Sequence, residues 1–366
     1  MNWYQIKNID SVDSPALVVY EKRIKQNIQL AIQMVDDISC LRPHVKTNKT
    51  AEVCSLMLEA GITKFKCATI AEAEMLAQIN APDVLLAYQP VGPKIKRFLQ
   101  LVQKFPATKF SCLVDDATIG ETINIVFATA DLTTGVFIDI NAGMNRTGIQ
   151  PAAAADLAKI ILQHSNLELK GLHVYDGHVT DTDVVIRRQN ADAAFEKGLL
   201  VADQIKSYLS TPLIFVVGGS PSFPMHAKRK DVECSPGPFV FWDWGYSSHF
   251  PDEAFVCAAV LVTRVISIIN DVTFCLDLGH KSVAAENPQP RVHFLNATAL
   301  TIIGQSEEHM VVKSAEPHAV KLGDVLYAIP WHICPTVALY EKLQVAQQQV
   351  IIATWKVVAR DRFITI

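Results

Sequence analysis

Two stretches of this chain carry reactive side chains at spacings that could do chemistry. The first is "RPHVKTNK", residues 42–49, where Lys46 follows His44 and precedes Lys49. In an extended run, alternation puts Arg42, His44, Lys46 and Asn48 on one face and Leu41, Pro43, Val45 and Thr47 on the other. An amine held in such a row and stripped of water loses its charge cheaply, which makes it a nucleophile toward a carbonyl. The second stretch is "PWHICP", in which His332 and Cys334 lie two residues apart. Extended backbone would point both side chains to one side, within chelating reach of one ion, and two ligands make an open site. The plain alternative is a half-buried strand with a core cysteine and a surface histidine.

Such residues need a frame. From residue 16 to about 240, short β-rich runs alternate with stretches of helical period, the pattern of parallel strands joined by right-handed crossovers. The strand candidates are "CLRPHVKT", "KFKCATI", "DVLLAYQP", "KFSCLVDD", "GVFIDINAG", "LKGLHVYDGH", "LIFVVGGSPS" and "DVECSPGPFV". Helix candidates between them include residues 51–61, 93–105, 151–165 and 188–210, several opened by Pro or a capping residue. Eight such units predict an α/β fold, a (β/α)₈ TIM-type barrel, and the Gly-rich G-x-G-x-x-G turn of a dinucleotide fold is absent. After about residue 250 the rhythm turns to long β-rich segments with tight turns, which predicts a mostly antiparallel β-domain. The expected division is a barrel over residues 14–250, with residues 1–13 and 251–366 forming the β-domain that carries the metal pair.

In such a barrel, chemistry gathers at the C-terminal ends of the strands. Those ends carry Lys46 with Asn48, Tyr88, Asp115, Arg146, Tyr175 with His178, Gly218-Gly219-Ser220, and Gly237. A buried lysine suits an aldehyde, and the N–H groups of a glycine turn form a nest for a phosphate. The "GGSPS" turn closes the seventh unit, where barrels favour phosphate. The cofactor that joins an aldehyde to a phosphate is pyridoxal phosphate. Singly each signal is weak, because a strand-end lysine is more often solvated and "GG" is usually only a turn.

Composition narrows the partners. The chain has 366 residues, half of them hydrophobic, and a formal net charge of −4 without any block of like charge, so neither a nucleic-acid groove nor an acidic membrane surface is indicated. No apolar run approaches the roughly 20 residues of a membrane span. The eight cysteines are scattered singly and read as reduced thiols of a cytoplasmic protein. A small molecule is the expected partner.

The blocks "DSPALVVYEKRIKQNI", "LRPHVKTNK", "ATIAEAEML", "DINAGMNRTG", "YDGH", "VVGGSPS" and "PWHICPTVALY" run in order along the whole chain. Together they resemble the alanine-racemase-fold pyridoxal-phosphate enzymes, and among them the D-threonine aldolase and D-serine dehydratase branch. That resemblance implies Lys46 as the Schiff-base lysine, with Lys49 a decoy in the next loop. It implies Arg146 at the cofactor ring or its phenolic oxygen, with His44 also at the cofactor. Tyr175 and His178 are implied to line the cofactor and substrate pocket, and Gly218, Gly219, Ser220 and Gly237 to hold the phosphate. His332 and Cys334 are implied to hold a divalent metal beside the substrate's β-hydroxyl, and the thiolate favours Zn²⁺ over Mn²⁺ by softness. The chain departs from the branch at Asn48, Asn141, Pro238 and Phe239, where histidine, aspartate, a hydroxyl residue and tyrosine are usual.

The expected activity is a metal-assisted lyase on D-β-hydroxy amino acids, a dehydratase ahead of an aldolase because of Cys334. A homodimer is expected by resemblance. Two other readings stay open: an amino-acid racemase, which needs two bases and no metal, and a cofactor carrier without turnover, which would not need the β-domain.

Overall fold

A computed structural model describes residues 2–209 and 211–366. In chain order the strands are β1 (Ala16–Tyr20), β2 (Lys64–Cys67), β3 (Asp83–Leu86), β4 (Lys109–Val114), β5 (Thr134–Ile140), β6 (Leu167–Val174), β7 (Ile214–Val217) and β8 (Val232–Cys234). They continue with β9 (Ala259–Asn270), β10 (Thr273–Leu276), β11 (Val292–Phe294), β12 (Leu300–Gln305), β13 (Met310–Ser314), β14 (Val325–Pro330), β15 (Lys342–Gln347) and β16 (Val350–Lys356). The helices are α1 (Glu21–Met34), α2 (Ala51–Glu59), α3 (Ile70–Gln78), α4 (Pro93–Lys104), α5 (Ala117–Ala128), α6 (Pro151–Ile161), α7 (Val184–Ile205), α8 (Phe223–His226), α9 (Trp244–His249) and α10 (Ile333–Leu339). The helix expected over 188–210 starts earlier and ends at Ile205, and Ser210 lies outside the described residues. Two compact units result, one from residues 31–46, 54–237 and 361–366, the other from residues up to 30, 47–53 and 238–360.

The first unit is the barrel. Strands β2 to β8 are parallel and neighbour one another in sequence order, with a helix in each crossover. Local chemistry starts the helices: the Thr69 hydroxyl accepts from Glu72 N at 3.1 Å, Asp116 from Ile119 N at 3.0 Å, Asp183 from Val185 N and Ile186 N, while Pro93 and Pro151 open α4 and α6. The expected first strand differs. Residues 41–46 form no regular strand, because Pro43 has no N–H to donate. They make isolated parallel bridges to both edges of the sheet, Leu41 to Cys234 and His44 to Lys66. Arg42 N and His44 N donate to Cys234 O and Pro236 O, while Val45 N and Lys66 N bond back to Lys66 O and Pro43 O, all at 2.9 Å. The seven-stranded sheet is closed by a short irregular eighth member, and that member carries Lys46.

The barrel's inward positions sort by depth. At the N-terminal ends, buried Arg42 pairs with Asp83 at 2.6 Å and with Glu233 at 2.5 Å, and Lys64 reaches Glu233 at 2.5 Å. Leu85, Leu113, Phe137 and Val216 form an apolar cluster above. The register then runs Asp139, His173 and Val216 side by side across β5, β6 and β7. Gly171 has no room for a side chain, since a Cβ there would stand 1.8 Å from Ile214 O.

The second unit is a nine-stranded sheet, mostly antiparallel, with the order β12-β13-β10-β9-β1-β15-β16 and with β14 pairing both β9 and β11. Strand β1 belongs here, antiparallel to β9 and parallel to β15. Its core gathers Tyr4, Ile6, Val18, Tyr20, Val260, Val262 and Tyr327. Within the β-rich run after residue 250, residues 292–304 hold two strands, β11 and β12. No helix among the described residues is long and apolar enough to cross a membrane, and all eight cysteines are free thiols.

Candidate active site

Lys46 is half-buried, and its backbone N–H donates to Nδ1 of His44 at 3.2 Å, so the histidine props the turn that holds the lysine. Lys49 occupies the turn before α2 with a φ of 49°. Asn48 builds that turn by accepting from Thr50 N at 3.0 Å, so the departure at this position serves local folding.

Beyond β5 the loop holding Arg146 is folded by Asn141. Its amide oxygen accepts from Gly143 N at 3.1 Å and Asn145 N at 3.2 Å, and its amide nitrogen donates to Asn145 at 3.0 Å. An amide thus supports the strand end where an aspartate is usual. Asp115 adds a bond from Gly148 N at 2.9 Å. The Arg146 guanidinium lies 5.0 Å from the centroid of the Tyr175 ring, within cation–π range. Tyr175 stacks on His173 at 6.3 Å and 15°. His178 is exposed and close to Gly143, where a Cβ would meet its Nε2 at 2.8 Å.

At the ends of β7 and β8 the glycine turns are joined. Ser220 Oγ accepts from Gly237 N at 3.1 Å, and Gly219 N donates to Ser222 Oγ at 3.2 Å. Ser222 donates in turn to Asp176 at 2.8 Å, and the other Asp176 oxygen meets His226 Nε2 at 2.9 Å. Gly218 has a φ of +69°, and any side chain there would strike His226 and Ser222. Pro238 and Phe239 stand after this turn. The Phe239 ring is buried against Phe255, 5.7 Å between centroids, so its role is packing.

Three residues missed in the sequence complete the mouth of the barrel. Asp139 accepts from His173 Nδ1 at 2.6 Å, and His173 Nε2 is buried without a partner among the described residues. Burial, and after it the Lys66 charge, hold the His173 imidazole below its usual range, so it is neutral and gives its one N–H to Asp139. Lys66 on β2 is buried with its Nζ 5.2 Å from the Tyr175 centroid. A signal for Lys66 existed in "KFKC", since the alternation that set Lys46 apart places Lys64 and Lys66 on one face.

The metal pair lies in the second unit, and its backbone is not extended. His332 caps α10 and Cys334 is inside its first turn, where the Thr336 hydroxyl donates to His332 O at 2.7 Å. The side chains therefore do not share a strand face. His332 Nδ1 meets Glu286 at 2.5 Å, and Cys334 Sγ lies 3.1 Å from the Thr47 hydroxyl. The N-terminus of α10 is pinned by Asp243, which accepts from Ile333 N at 2.9 Å and from Tyr246 N at 2.8 Å. Among the described residues no three His, Cys, Asp or Glu side chains stand together as a metal cage.

Residues 19–241 match the family described as "Alanine racemase, N-terminal domain". The chain belongs to that family. Residues 258–346 match a second family, the "Putative serine dehydratase domain". Among curated relatives, the D-threonine aldolase of Arthrobacter sp. is 26% identical over 360 residues, covering 95% of this chain and 93% of that one. The D-threo-3-hydroxyaspartate dehydratase of Delftia sp. (strain HT23) is 23% identical over 376 residues, covering 94% and 97%. The crystal structure of D-threonine aldolase from Filomicrobium marinum superposes with a TM-score of 0.87 at 22% identity over 95% of both chains, and that of the Delftia dehydratase with 0.80 at 21% over 94% and 97%. A cysteine-to-alanine variant of a D-threo-3-hydroxyaspartate dehydratase has also been solved in a metal-free form.

Proposed function

We propose that this family member is a pyridoxal-phosphate-dependent lyase acting on D-β-hydroxy amino acids, as a dehydratase or an aldolase. The observation that carries the reading is the mouth of the barrel, where Lys66 and Arg146 lie against the Tyr175 ring, His173 stacks on it and is held by Asp139, and the Lys46 charge bears on Lys66. The full-length likeness to aldolases and dehydratases of that substrate class supports it. The residues fit the cofactor in their chemistry: a buried imidazole nitrogen without a partner, on His173, calls for a polar ligand, and the joined turns at β7 and β8 bring the Gly219 and Gly237 N–H groups together with the Ser220 and Ser222 hydroxyls.

When bound, pyridoxal phosphate supplies an aldehyde for the substrate amine and a sink for the electron pair released at its Cα. Lys46 would hold that aldehyde, and its amine would be the group that moves the Cα proton. Tyr175 would give the ring a face, Arg146 a cation, and Ser220 with Gly219 and Gly237 the phosphate contacts. His332 and Cys334 would hold a divalent metal, whose part is Lewis acid toward the substrate's β-oxygen. Glu286 supports this by fixing the tautomer of His332 and leaving Nε2 to a ligand. The thiolate favours Zn²⁺. A base at Cα gives dehydration to an oxo acid and ammonia, whereas a base at the β-hydroxyl gives glycine and an aldehyde. Cys334 tilts the reading to the former. The family resemblance of the sequence blocks suggests a homodimer, and the singly scattered free cysteines suggest a cytoplasmic setting.

The test incubates purified protein with D-serine and D-threonine, with chelator and after restoring Zn²⁺ or Mn²⁺, and assays oxo acid, glycine and L-enantiomer together. Oxo acid or glycine that falls with chelator is the expected result. L-enantiomer alone would replace the reading with a racemase, and bound cofactor without turnover would replace it with a carrier. Lys46→Ala should abolish the absorbance of the bound cofactor and Lys49→Ala should leave it.

A further inference from the structure

Lys66 is a buried charge that packing does not explain. The residue is only 3% exposed, and no hydrogen bond or ion pair reaches Nζ among the described residues; Nζ keeps a trace of solvent contact, while the neighbouring His173 Nε2 is buried without a partner. The charged and titratable groups around it are Lys46, Arg146, Asp139, Asp176 and His173, with the Tyr175 ring below the ammonium. Both carboxylates are already committed, Asp139 to His173 and Asp176 to Ser222 and His226. An unpaired buried ammonium is among the costliest groups a fold can hold. Packing does not ask for it: its register neighbour on β3 is Leu85, and the inward cluster there is Leu, Leu, Phe and Val.

We propose that Lys66 is a ligand-holding cation, left unpaired by the fold so that its ammonium meets an anionic oxygen of the pyridoxal phosphate, the ring phenolate or a phosphate oxygen. This rests on the function proposed above and adds to the cofactor site a second lysine beside the one that holds the aldehyde. Burial first, and the Lys46 charge second, pull the Lys66 ammonium down to about 7 against the opposing pull of Asp139 and Asp176. An arriving anion therefore draws a proton onto it and binds more tightly for doing so.

The experiment uses the full chain stripped of cofactor, with wild type, Lys66→Met and Lys66→Gln. Gln keeps a donor without charge and covers the case in which Met packs badly. Two quantities are read: affinity for pyridoxal phosphate and for pyridoxal by absorbance titration, and thermal stability without cofactor at pH 6. Loss of one charge-assisted contact should weaken binding by about tenfold to a hundredfold. Relief of the unpaired charge should raise the cofactor-free melting temperature of Lys66→Met by roughly 2–4 °C. Equal weakening toward pyridoxal assigns the contact to the phenolate, and weakening toward pyridoxal phosphate alone assigns it to the phosphate. Unchanged affinity, or a lowered melting temperature showing that Lys66 holds the barrel together, overturns the proposal. A wild type that binds no cofactor overturns both this and the function it rests on.

Discussion

Replacing Arg42 with methionine tests how the lysine-bearing segment is held. Arg42 is 1% exposed and spans the base of the barrel, with Nε on Glu233 at 2.5 Å and Nη1 on Asp83 at 2.6 Å. Removing one member of a buried ion pair costs about 3–5 kcal/mol, because the remaining charge is left uncompensated. Two features place Arg42→Met at the lower end. Glu233 keeps Lys64 at 2.5 Å, and the Asp83 side chain is 31% exposed and can regain water. The expected loss is therefore ~3 kcal/mol, about two orders of magnitude in the folding constant. With a urea slope of roughly 2 kcal/mol per molar, the midpoint of the transition followed by circular dichroism falls by about 1.5 M. A second substitution, Glu233→Gln, removes the stranded charge while leaving half-exposed Lys64 to solvent, and should recover more than half of the loss. A single variant within about 1 kcal/mol of wild type, or a double variant no more stable than the single, would refute the claim that this cluster anchors residues 41–46.

Gly171→Ala drives a Cβ to 1.8 Å from the Ile214 carbonyl oxygen, so β6 and β7 must separate. A loss of at least ~3 kcal/mol and insoluble expression are expected, and soluble protein of wild-type melting temperature would contradict the register. In cofactor-free protein the Lys66 ammonium titrates near 7 when folded and at its ordinary higher value when unfolded, so the unfolded chain binds more protons between the two. Stability should rise by about 1 kcal/mol per pH unit from pH 7 toward 9, and a denaturation series in which Lys66→Met shows the same slope would reject it. Asp176→Ala frees Ser222 and His226 beneath the Gly218-Gly219 turn and should weaken pyridoxal phosphate binding about tenfold, with affinity for pyridoxal changed less. Equal weakening of both ligands would detach this network from the phosphate.

Much of the architecture was legible along the chain because it rests on local physics. Parallel strands β2 to β8 were readable as apolar runs between helical periods, and their helix starts as Pro or capping residues. The change of rhythm near residue 250 marked the antiparallel sheet, since alternation over a half-solvated face is a property of the strand itself. Lys46, Arg146 and Tyr175 could be picked out as strand-end residues for the same reason.

What tertiary structure alone decided concerns pairing across distance. Strand β1 precedes the barrel in sequence yet finds its hydrogen-bond partners in β9 and β15, more than 200 residues onward, which no local pattern records. The residues 41–46 have the composition of a strand but are held by bridges to two separate edges and by Arg42, so their shape depends on Cys234, Lys66 and Glu233. His332 and Cys334 were readable as a pair, but the helix that starts between them is capped by Asp243, 89 residues before His332. Lys66 illustrates the limit most plainly. Its alternation with Phe65 was visible, but whether a buried amine has a partner depends on carboxylates that other side chains have already engaged.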